Sequence, residues 1–414
     1  MKTGNSSRNI FCITTCVVAV VILLFFIKPT MAFTSKNTCS SNMHLVATYG
    51  HGKLYKIGSL CISELHGNYH EMGRQYGALY KKQLHKMYNI ISSYYSKTAS
   101  FTYKQTLLRA SQIFDSYPKK YKDILYGISE TSGLKLDELI ILNDEELVFI
   151  SSPPFVSRVY GKKQQCSFMA VWNDYSATKQ LILGRNYDLG SIFNKYLTVV
   201  VYNPSDGSIP TASITYIGAV YVTSGMNKDG IFLELNSGEG SGFIQDKNRI
   251  STPILLFSFL ENSSTLKQLN ALFHTSKTSF TSIINVADKK QAYSYEWAIS
   301  GIKRRKPINN GLLVATNHFV DPIWKMQVSD IAKTIERRKN LLRLGEKYKG
   351  KFTPELMMKV MSIPVNKGGA YWPPSKTFSH STSYQIVAVP AELKIWIRVP
   401  KFINWTQVNL KAIK

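Results

Sequence analysis

The sequence has few acidic residues and few cysteines, and each scarcity narrows the classes of protein that fit it. Only 26 Asp and Glu stand against 51 Lys and Arg among 414 residues, so the formal net charge is +25. Apolar residues make up 44%, which is enough to bury a substantial core and excludes an intrinsically disordered chain. Gly and Pro are close to average usage and no internal repeat occurs, so collagen-like and low-complexity chains are also excluded.

Several motifs of common enzyme and binding classes are absent. The sequence contains no Gly-x-Ser-x-Gly elbow, no Walker loop and no His-Glu-x-x-His. Ser264 and Lys267 fit a penicillin-binding Ser-x-x-Lys pattern, but its companion motifs are missing and Ser264 is better explained as a helix cap. The lysines are dispersed and no nucleic-acid-binding module is recognisable, so we predict no nucleic-acid partner, and no metal or cofactor site.

The N-terminus carries the one hydrophobic run that is long enough to span a membrane. Residues 10–27 are apolar or weakly polar, with Lys2 and Arg8 before them and Lys28 after them. A basic start, an apolar run and a small-residue site ending at Ala32 are typical of a secretory signal. We therefore predict that residues 1–32 are a signal peptide and that the protein is exported, to the periplasm or the outside of the cell. The alternative is an uncleaved membrane anchor, because about 18 apolar residues can cross a bilayer.

The charge of the processed chain points to anionic surfaces. Removal of residues 1–32 removes three positive charges and no negative charge, which leaves +22. A protein of this charge is attracted to anionic lipid headgroups, cell-wall polymers and acidic substrates. We therefore expect peripheral contact with an anionic membrane or cell wall. Nothing in the sequence indicates an oligomeric state.

The five cysteines separate into three groups. Cys12 and Cys16 lie in the leader, and Cys39 and Cys61 could form a disulfide in an oxidising compartment. Cys166 is then left without a partner. An unpaired thiol in an exported protein is either a small buried hydrophobe or a functional group, and its position in the chain decides between them.

The spacing of apolar residues along the chain changes at Cys166. Before it, apolar residues recur at helical spacing through residues 64–150, and Gly133 is placed to end one helix. After it, short β runs alternate with turn residues. We predict strands over 166–172, 180–186, 197–202, 212–217, 230–236, 281–287, 291–298, 312–316, 384–390 and 393–399, and helices over 252–262, 264–274, 327–344 and 354–361. This grouping favours an α+β protein of layered antiparallel sheets with helices outside.

Cys166 follows a polar, charged stretch, residues 161–165, and begins a strand with Cys-Ser. This is an unusual place for a structural thiol, but it suits a chain cleavage that makes Cys166 a new N-terminus. A free N-terminal Cys carries its own base, because an α-amino group has a pKa of about 7.7–8.0 and can accept the thiol proton near neutral pH. No catalytic histidine is then needed.

Four stretches resemble the cysteine N-terminal-nucleophile (Ntn) hydrolases. They are CSFMAVWNDYSATKQLILGRNYDL (166–189), GMNKDGIFLELN (225–236), VATNHF (314–319) and HGNYHEMGRQYGALYKKQL (66–84). The first three are similar to the choloylglycine hydrolase / penicillin V acylase group and to the acyl-coenzyme A:6-aminopenicillanate acyltransferase (peptidase C45) group. The fourth resembles the segment that precedes the cleavage site in the acyltransferase group.

The resemblance implies a four-layer αββα sandwich and a set of site residues. It implies cleavage between Gln165 and Cys166, with residues 33–165 as a helical pre-segment and 166–414 as the catalytic segment of the same domain. It implies Cys166 as nucleophile, Asp188 beside its amino group, Arg185 beside its thiol, and Asn236 and Asn317 lining the oxyanion and amine-binding region.

Other interpretations of these residues are open at this stage. Arg185 and Asp188 also fit a simple pair across a strand end, and Asn236 also fits a turn. Gln165 stands where the acyltransferase group often has Gly, and the late arginine of the family has no unambiguous match.

The resemblance predicts an enzyme that hydrolyses non-peptide C–N amide bonds of a small N-acylated substrate through a thioester. One alternative is acyl transfer at the same site. The other, from a different class, is a non-catalytic basic protein that binds a membrane or wall surface on an Ntn scaffold.

Overall fold

Two β-sheets pack face to face between two helical layers. The computed structural model describes residues 43–98, 102–151, 166–189, 191–242, 244–246, 248–374 and 381–412. Within them lie sixteen strands and nine α-helices. The architecture is the α+β, four-layer αββα Ntn sandwich that the sequence analysis predicts.

The larger sheet has ten strands. They are β1 (His44–Tyr49), β2 (Gly52–Ile57), β3 (Leu60–Gly67), β6 (Leu197–Pro204), β7 (Thr211–Tyr216), β8 (Ser224–Asn227), β9 (Phe232–Ser237), β10 (Ser282–Ala287), β11 (Ala292–Ala298) and β12 (Gly301–Arg305). They lie in this order across the sheet, and neighbours are antiparallel except β3 and β6, which run parallel. Parallel neighbours need a long crossover connection, and here the intervening chain includes five helices and two strands of the other sheet.

The smaller sheet has six strands. They are β4 (Ser167–Val171), β5 (Ile182–Asp188), β13 (Leu312–Ala315), β14 (Thr382–Val389), β15 (Lys394–Val399) and β16 (Ile403–Asn409). Their order across the sheet is β13-β4-β5-β14-β15-β16, all antiparallel. This order places β4 and β5, which carry the motif around Cys166, in the interior of the sheet.

Helices cover the outer face of each sheet. The helices are α1 (Tyr69–Leu79), α2 (Lys81–Thr98), α3 (Tyr103–Asp115), α4 (Lys119–Ser132), α5 (Leu136–Ser151), α6 (Thr252–Glu261), α7 (Leu266–Thr275), α8 (Thr334–Lys347) and α9 (Pro354–Met361). Helices α1 and α6 contact the larger sheet, and α8 and α9 contact the smaller one.

Side-chain alternation along β4 and β5 aims the site residues into the space between the sheets. Phe168 and Ala170 join the core between the sheets, whereas Met169 and Val171 join the cluster under α8 and α9. Because successive residues of a strand point to opposite faces, Cys166 shares the inner face with Phe168. On β5 the same alternation turns Arg185 toward the larger sheet, whose backbone and side chains it contacts.

Most predicted elements after Cys166 are present, with shifts of a few residues at their ends. Gly133 ends α4 at a φ of 81°, a left-handed conformation that glycine adopts without strain. The capping residue of α7 is Thr265 rather than Ser264, although both side chains contact Gln268. Helix α8 begins at Thr334 instead of residue 327, because the preceding segment forms a loop.

Six of the sixteen strands within the described residues were not predicted. The segment predicted as helical, residues 33–165, supplies β1, β2 and β3, and the others are β8, β12 and β16. β1 is an exposed edge strand, so it lacks the buried face that makes a strand recognisable.

The predicted leader, residues 1–32, lies outside the described residues. Within the described part, no helix is both long and apolar enough to cross a membrane.

Candidate active site

Cys166 lies directly before β4 and its side chain is fully buried between the sheets. Its Sγ accepts a long hydrogen bond from Arg185 Nη2 at 3.8 Å. Burial raises the pKa of the thiol to about 12, although Arg185 and the backbone N–H of Asp188 both act to lower it. The thiol is therefore protonated at neutral pH, and its proton would have to be removed for the sulfur to act as a nucleophile.

Arg185 is a fully buried guanidinium that links the two sheets. Its Nε lies 3.0 Å from Glu234 Oε2, its Nη1 donates to Ser224 Oγ at 2.6 Å, and its Nη2 donates to the carbonyl oxygen of Leu235 at 2.7 Å. These partners on β8 and β9 fix the guanidinium next to Cys166. The arrangement excludes the simple Arg185–Asp188 pair across a strand end as the main role of Arg185.

Glu234 is the carboxylate that pairs with Arg185, and it was not predicted from the sequence. It is fully buried on β9, and the side-chain amide of Asn285 donates to its Oε1. Burial raises the pKa of the Glu234 carboxyl to about 7, while the charge of Arg185 acts to lower it. A glutamate in the middle of an otherwise apolar strand is a signal that could have found it, because such a charge needs a buried partner.

Asp188 ends β5 with both carboxylate oxygens buried. Its Oδ1 accepts from Thr382 Oγ1 at 2.6 Å, whereas its Oδ2 has no hydrogen-bond donor among the described residues and lies 3.9 Å from Arg337 Nη1. Burial raises the pKa of the Asp188 carboxyl to about 7, against the lowering effect of Arg337. The site therefore contains a buried acceptor with unused capacity next to Cys166.

Arg337, on α8, contacts Cys166 and was not assigned a role from the sequence. It is fully buried, its Nη1 donates to the carbonyl oxygen of Cys166 at 2.8 Å, and its Nη2 donates to Asn317 Oδ1 at 2.9 Å. The predicted helix contained Arg337, Arg338 and Arg343, so helical spacing alone did not single one out. Only the packing of α8 against the smaller sheet shows that Arg337 is the arginine that contacts Cys166.

Asn236 and Asn317 lie near each other at the facing ends of the two sheets. The Asn236 side chain donates to the carbonyl oxygen of Thr316 at 3.3 Å. The Asn317 side chain donates to the carbonyl oxygen of Ser237 at 2.9 Å and more weakly to the hydroxyl of the same residue at 3.3 Å. Each side-chain amide carries two hydrogens, so an amide bonded to one neighbouring residue can donate in a second direction. The structure thus brings Asn317 to Cys166 through Arg337, and Asn236 to the same end of the sheets.

The predicted cleavage site and the predicted disulfide fall partly outside the described residues. Gln165, which precedes Cys166 at the cleavage site, and Cys39, one of the two disulfide cysteines, are not described. Cys61 carries a free thiol in the structure, and its pairing with Cys39 stays a prediction. Within the described residues, no three His, Cys, Asp or Glu side chains are grouped to hold a metal ion.

A family model for acyl-coenzyme A:6-aminopenicillanic acid acyl-transferase matches residues 175–402. The match includes Arg185, Asp188, Asn236 and Asn317, and it begins after Cys166. No curated protein matches the sequence significantly.

Solved structures that resemble the chain include three hydrolases. An N-acylethanolamine-hydrolyzing acid amidase ortholog from Caenorhabditis elegans is 22% identical over 55% of this chain and 93% of its own, with a TM-score of 0.42. A variant of conjugated bile acid hydrolase from Clostridium perfringens is 10% identical over 60% of this chain and 94% of its own, with a TM-score of 0.42. Penicillin V acylase from Agrobacterium tumefaciens is 12% identical over 59% of this chain and 86% of its own, with a TM-score of 0.35.

Proposed function

This chain belongs to the acyl-coenzyme A:6-aminopenicillanic acid acyl-transferase family, and from that premise we propose that it is an autoproteolytically activated Ntn amidohydrolase. The substrate is a small N-acylated molecule, and the bond cleaved is a non-peptide C–N amide bond. Cys166 is the nucleophile after cleavage of the Gln165–Cys166 bond.

The observation that carries this proposal is the environment of Cys166. A thiol of raised pKa lies 3.8 Å from a fixed guanidinium, and one buried oxygen of the nearby Asp188 carboxylate has no hydrogen-bond donor within the described part of the chain. Cleavage would create an α-amino group at Cys166, which is the proton acceptor that the thiol needs. The same group, once protonated, would donate to Asp188 Oδ2 and fill its unused capacity.

The reaction follows from these roles. The α-amino group takes the thiol proton, and Sγ forms a bond to the amide carbonyl carbon, whose oxygen becomes the oxyanion. The second hydrogens of Asn236 and Asn317 donate to that oxyanion, a contribution of about 2.7–4 kcal/mol for one such donor. The C–N bond breaks, the leaving nitrogen takes the proton from the α-ammonium, and a thioester remains. Water then attacks the thioester carbonyl carbon and loses a proton to the α-amino group. The C–S bond breaks, the departing thiolate takes that proton from the α-ammonium, and the carboxylic acid is released.

A second candidate is acyl transfer, and the description of the matching family favours it. In that reaction an acceptor amine replaces water in the attack on the thioester, and a new amide leaves in place of the acid. Both candidates use the same thioester. Product analysis with and without an added acceptor amine separates them.

The test compares two cysteine variants of the full-length chain on a panel of N-acyl amides. We expect Cys166→Ala to lose at least about a thousandfold in kcat/KM, because it removes the atom that forms the covalent bond. Cys61→Ala is the matched control, since it removes the other free buried thiol among the described residues and should keep the activity of the parent. Equal amide hydrolysis by Cys166→Ala and the parent would refute the proposal.

A further inference from the structure

Tyr384, on β14, is a buried tyrosine in the space between the two sheets. It lies directly opposite Tyr187 of β5, which follows Arg185 by two residues. Residues two apart on a strand, and residues opposite each other on neighbouring strands, share one face of the sheet. Tyr384 therefore lies on the same inner face as Arg185, and its hydroxyl needs a polar partner there.

Ring packing fixes the position of Tyr384. Its ring stacks on that of Tyr187, with centroids 4.5 Å apart and an angle of 13° between the ring planes. Tyr216, on β7 of the larger sheet, packs edge-on against it at 6.1 Å and 71°. Both arrangements are favourable geometries for aromatic pairs, so the hydroxyl of Tyr384 is held at a defined place between the sheets.

The hydroxyl of Tyr384 connects to the thiol through two other residues. Tyr384 Oη and Ser224 Oγ share a hydrogen bond of 3.0 Å. The same Ser224 oxygen accepts from Arg185 Nη1 at 2.6 Å, and Arg185 Nη2 lies 3.8 Å from Cys166 Sγ. These four residues, here called the Tyr384 relay, form a continuous polar chain from β14 to the nucleophile.

Tyr187 supports the same guanidinium from another direction. The Arg185 Cζ atom lies 4.8 Å from the centroid of the Tyr187 ring, which is a cation–π contact. Glu234 also holds Arg185, but its carboxylate opposes the positive charge that the thiolate needs. The tyrosines and Ser224 are neutral, so they fix the guanidinium without adding a negative charge beside the sulfur.

We propose that Tyr384 is a positioning residue that acts through Ser224 to hold the Arg185 guanidinium where its charge favours the Cys166 thiolate. This inference rests on the proposed function only in naming that thiolate as the nucleophile. The contact between Tyr384 and the thiol is indirect, so Tyr384 itself is not a catalytic residue.

The balance of charges around Cys166 makes the position of Arg185 important. Arg185 favours the thiolate, whereas the carboxylates of Asp188 and Glu234 face the same sulfur and disfavour it. At 3.8 Å the contact of Arg185 with Sγ is mainly an attraction between charges, which weakens with distance. A small displacement of the guanidinium should therefore leave less thiolate at a given pH.

The first test follows the reaction of Cys166 with iodoacetamide at one pH, by mass spectrometry of the peptide that contains it. Only the thiolate reacts, so the rate reports the thiolate fraction. Tyr384→Phe keeps the stacked ring and removes the hydroxyl, and we expect the rate to fall by about fivefold. A merely structural role predicts the opposite sign, because a loosened fold exposes the buried thiol and raises the rate.

The second test is a double-mutant cycle with Ser224→Ala. If Tyr384 acts through Ser224, Tyr384→Phe should lower the rate by less than about twofold in the Ser224→Ala background. Tyr295→Phe is the matched control and should react like the parent. Tyr295, on β11, also stacks on a ring, that of Phe273, and its hydroxyl donates to Asn270 Oδ1 at 2.8 Å.

Steady-state kinetics on one N-acyl amide gives a third measurement. Tyr384→Phe should lower kcat by about fivefold and change KM by less than about twofold, because Arg185 acts at the thiol. An unchanged or faster reaction of Cys166 with iodoacetamide overturns the inference, and so does a full fivefold effect of Tyr384→Phe in the Ser224→Ala background. A parent that hydrolyses no amide, but whose Cys166 reacts more slowly after Tyr384→Phe, would refute the proposed function and leave the Tyr384 relay supported.

Discussion

Glu261 and Asp188 are both buried carboxylates, but they differ in how many of their oxygens accept hydrogen bonds. Glu261, where α6 meets α1 and α4, accepts from Tyr69 at 2.8 Å, from Tyr121 at 2.6 Å and from Lys120 at 2.7 Å, so both of its oxygens are used. Asp188, beside Cys166, has an oxygen with no hydrogen-bond donor among the described residues. The first region is complete in the folded chain, whereas the second keeps capacity for another group.

We infer from this difference that the Glu261 network serves the fold and that the Asp188 environment serves the proposed reaction. A satisfied buried network rigidifies the fold, whereas an unpaired buried acceptor costs free energy that a new donor would recover. We therefore expect substitutions near Glu261 to act on stability, and substitutions near Asp188 to act on activity.

Among substitutions that compare these two regions, Asp188→Asn should have the largest effect. The variant keeps the shape of the side chain but removes the charge that would hold the Cys166 α-ammonium, so we expect kcat/KM to fall by at least about a hundredfold. Asp123→Asn is the matched control, because Asp123 lies on α4 and pairs only with the exposed Lys119 among the described residues. Steady-state kinetics on one amide substrate measures both. A fall of less than about threefold for Asp188→Asn would remove the distinction between the two regions.

The pH dependence of stability sharpens the same distinction. The folded-state pKa of Asp188 is raised to about 7, whereas an unfolded Asp has a pKa of about 3.9. Its favourable contribution is complete below the unfolded pKa and is lost as pH rises through the folded value. In the uncut Cys166→Ala background, Asp188→Asn should therefore gain free energy of unfolding relative to its parent between about pH 4 and about pH 7. Urea titrations at several pH values measure this, and a constant difference would contradict the burial argument.

Gly127→Ala should affect stability in the helical region. A Cβ at Gly127 would lie 2.2 Å from the His70 carbonyl oxygen, so α1 and α4 would have to move apart. Such overpacking costs about 1–3 kcal/mol in the free energy of unfolding. Gly301→Ala is the control, since its added Cβ meets no atom within 4 Å. Equal denaturation midpoints for the two variants would show that the close helix contact is unimportant.

Two neighbouring lysines on α4 should give the smallest effects. Lys120→Ala removes one of the three donors to the buried Glu261, so we expect a loss of about 1–2 kcal/mol. Lys119→Ala breaks an exposed pair with Asp123 and should change stability by less than about 0.5 kcal/mol. Thermal or chemical denaturation of the two variants gives the comparison. A larger loss for Lys119→Ala would contradict the assigned role of the Glu261 network.

The features that could be predicted from the sequence are those formed by residues close together in the chain. The strand after Cys166 and the Arg185–Asp188 segment were recognisable because their motif is contiguous and their strands are short and apolar. Arg337 was not identified, because its contact with Cys166 spans 171 residues and depends on how α8 packs.

Glu234 was missed for a related reason. Its partner is the buried guanidinium of Arg185 on the other sheet. Contacts between sheets and loops leave no periodic signal in a single sequence.

We expect the active species to contain a polypeptide that begins at Cys166. Intact mass and N-terminal sequencing of the fraction that hydrolyses amides test this most directly. We predict two polypeptides in that fraction, one of which starts with Cys166-Ser167-Phe168, and a single uncut chain for Cys166→Ala. Full amide hydrolysis by material in which Gln165 is still joined to Cys166 would contradict it.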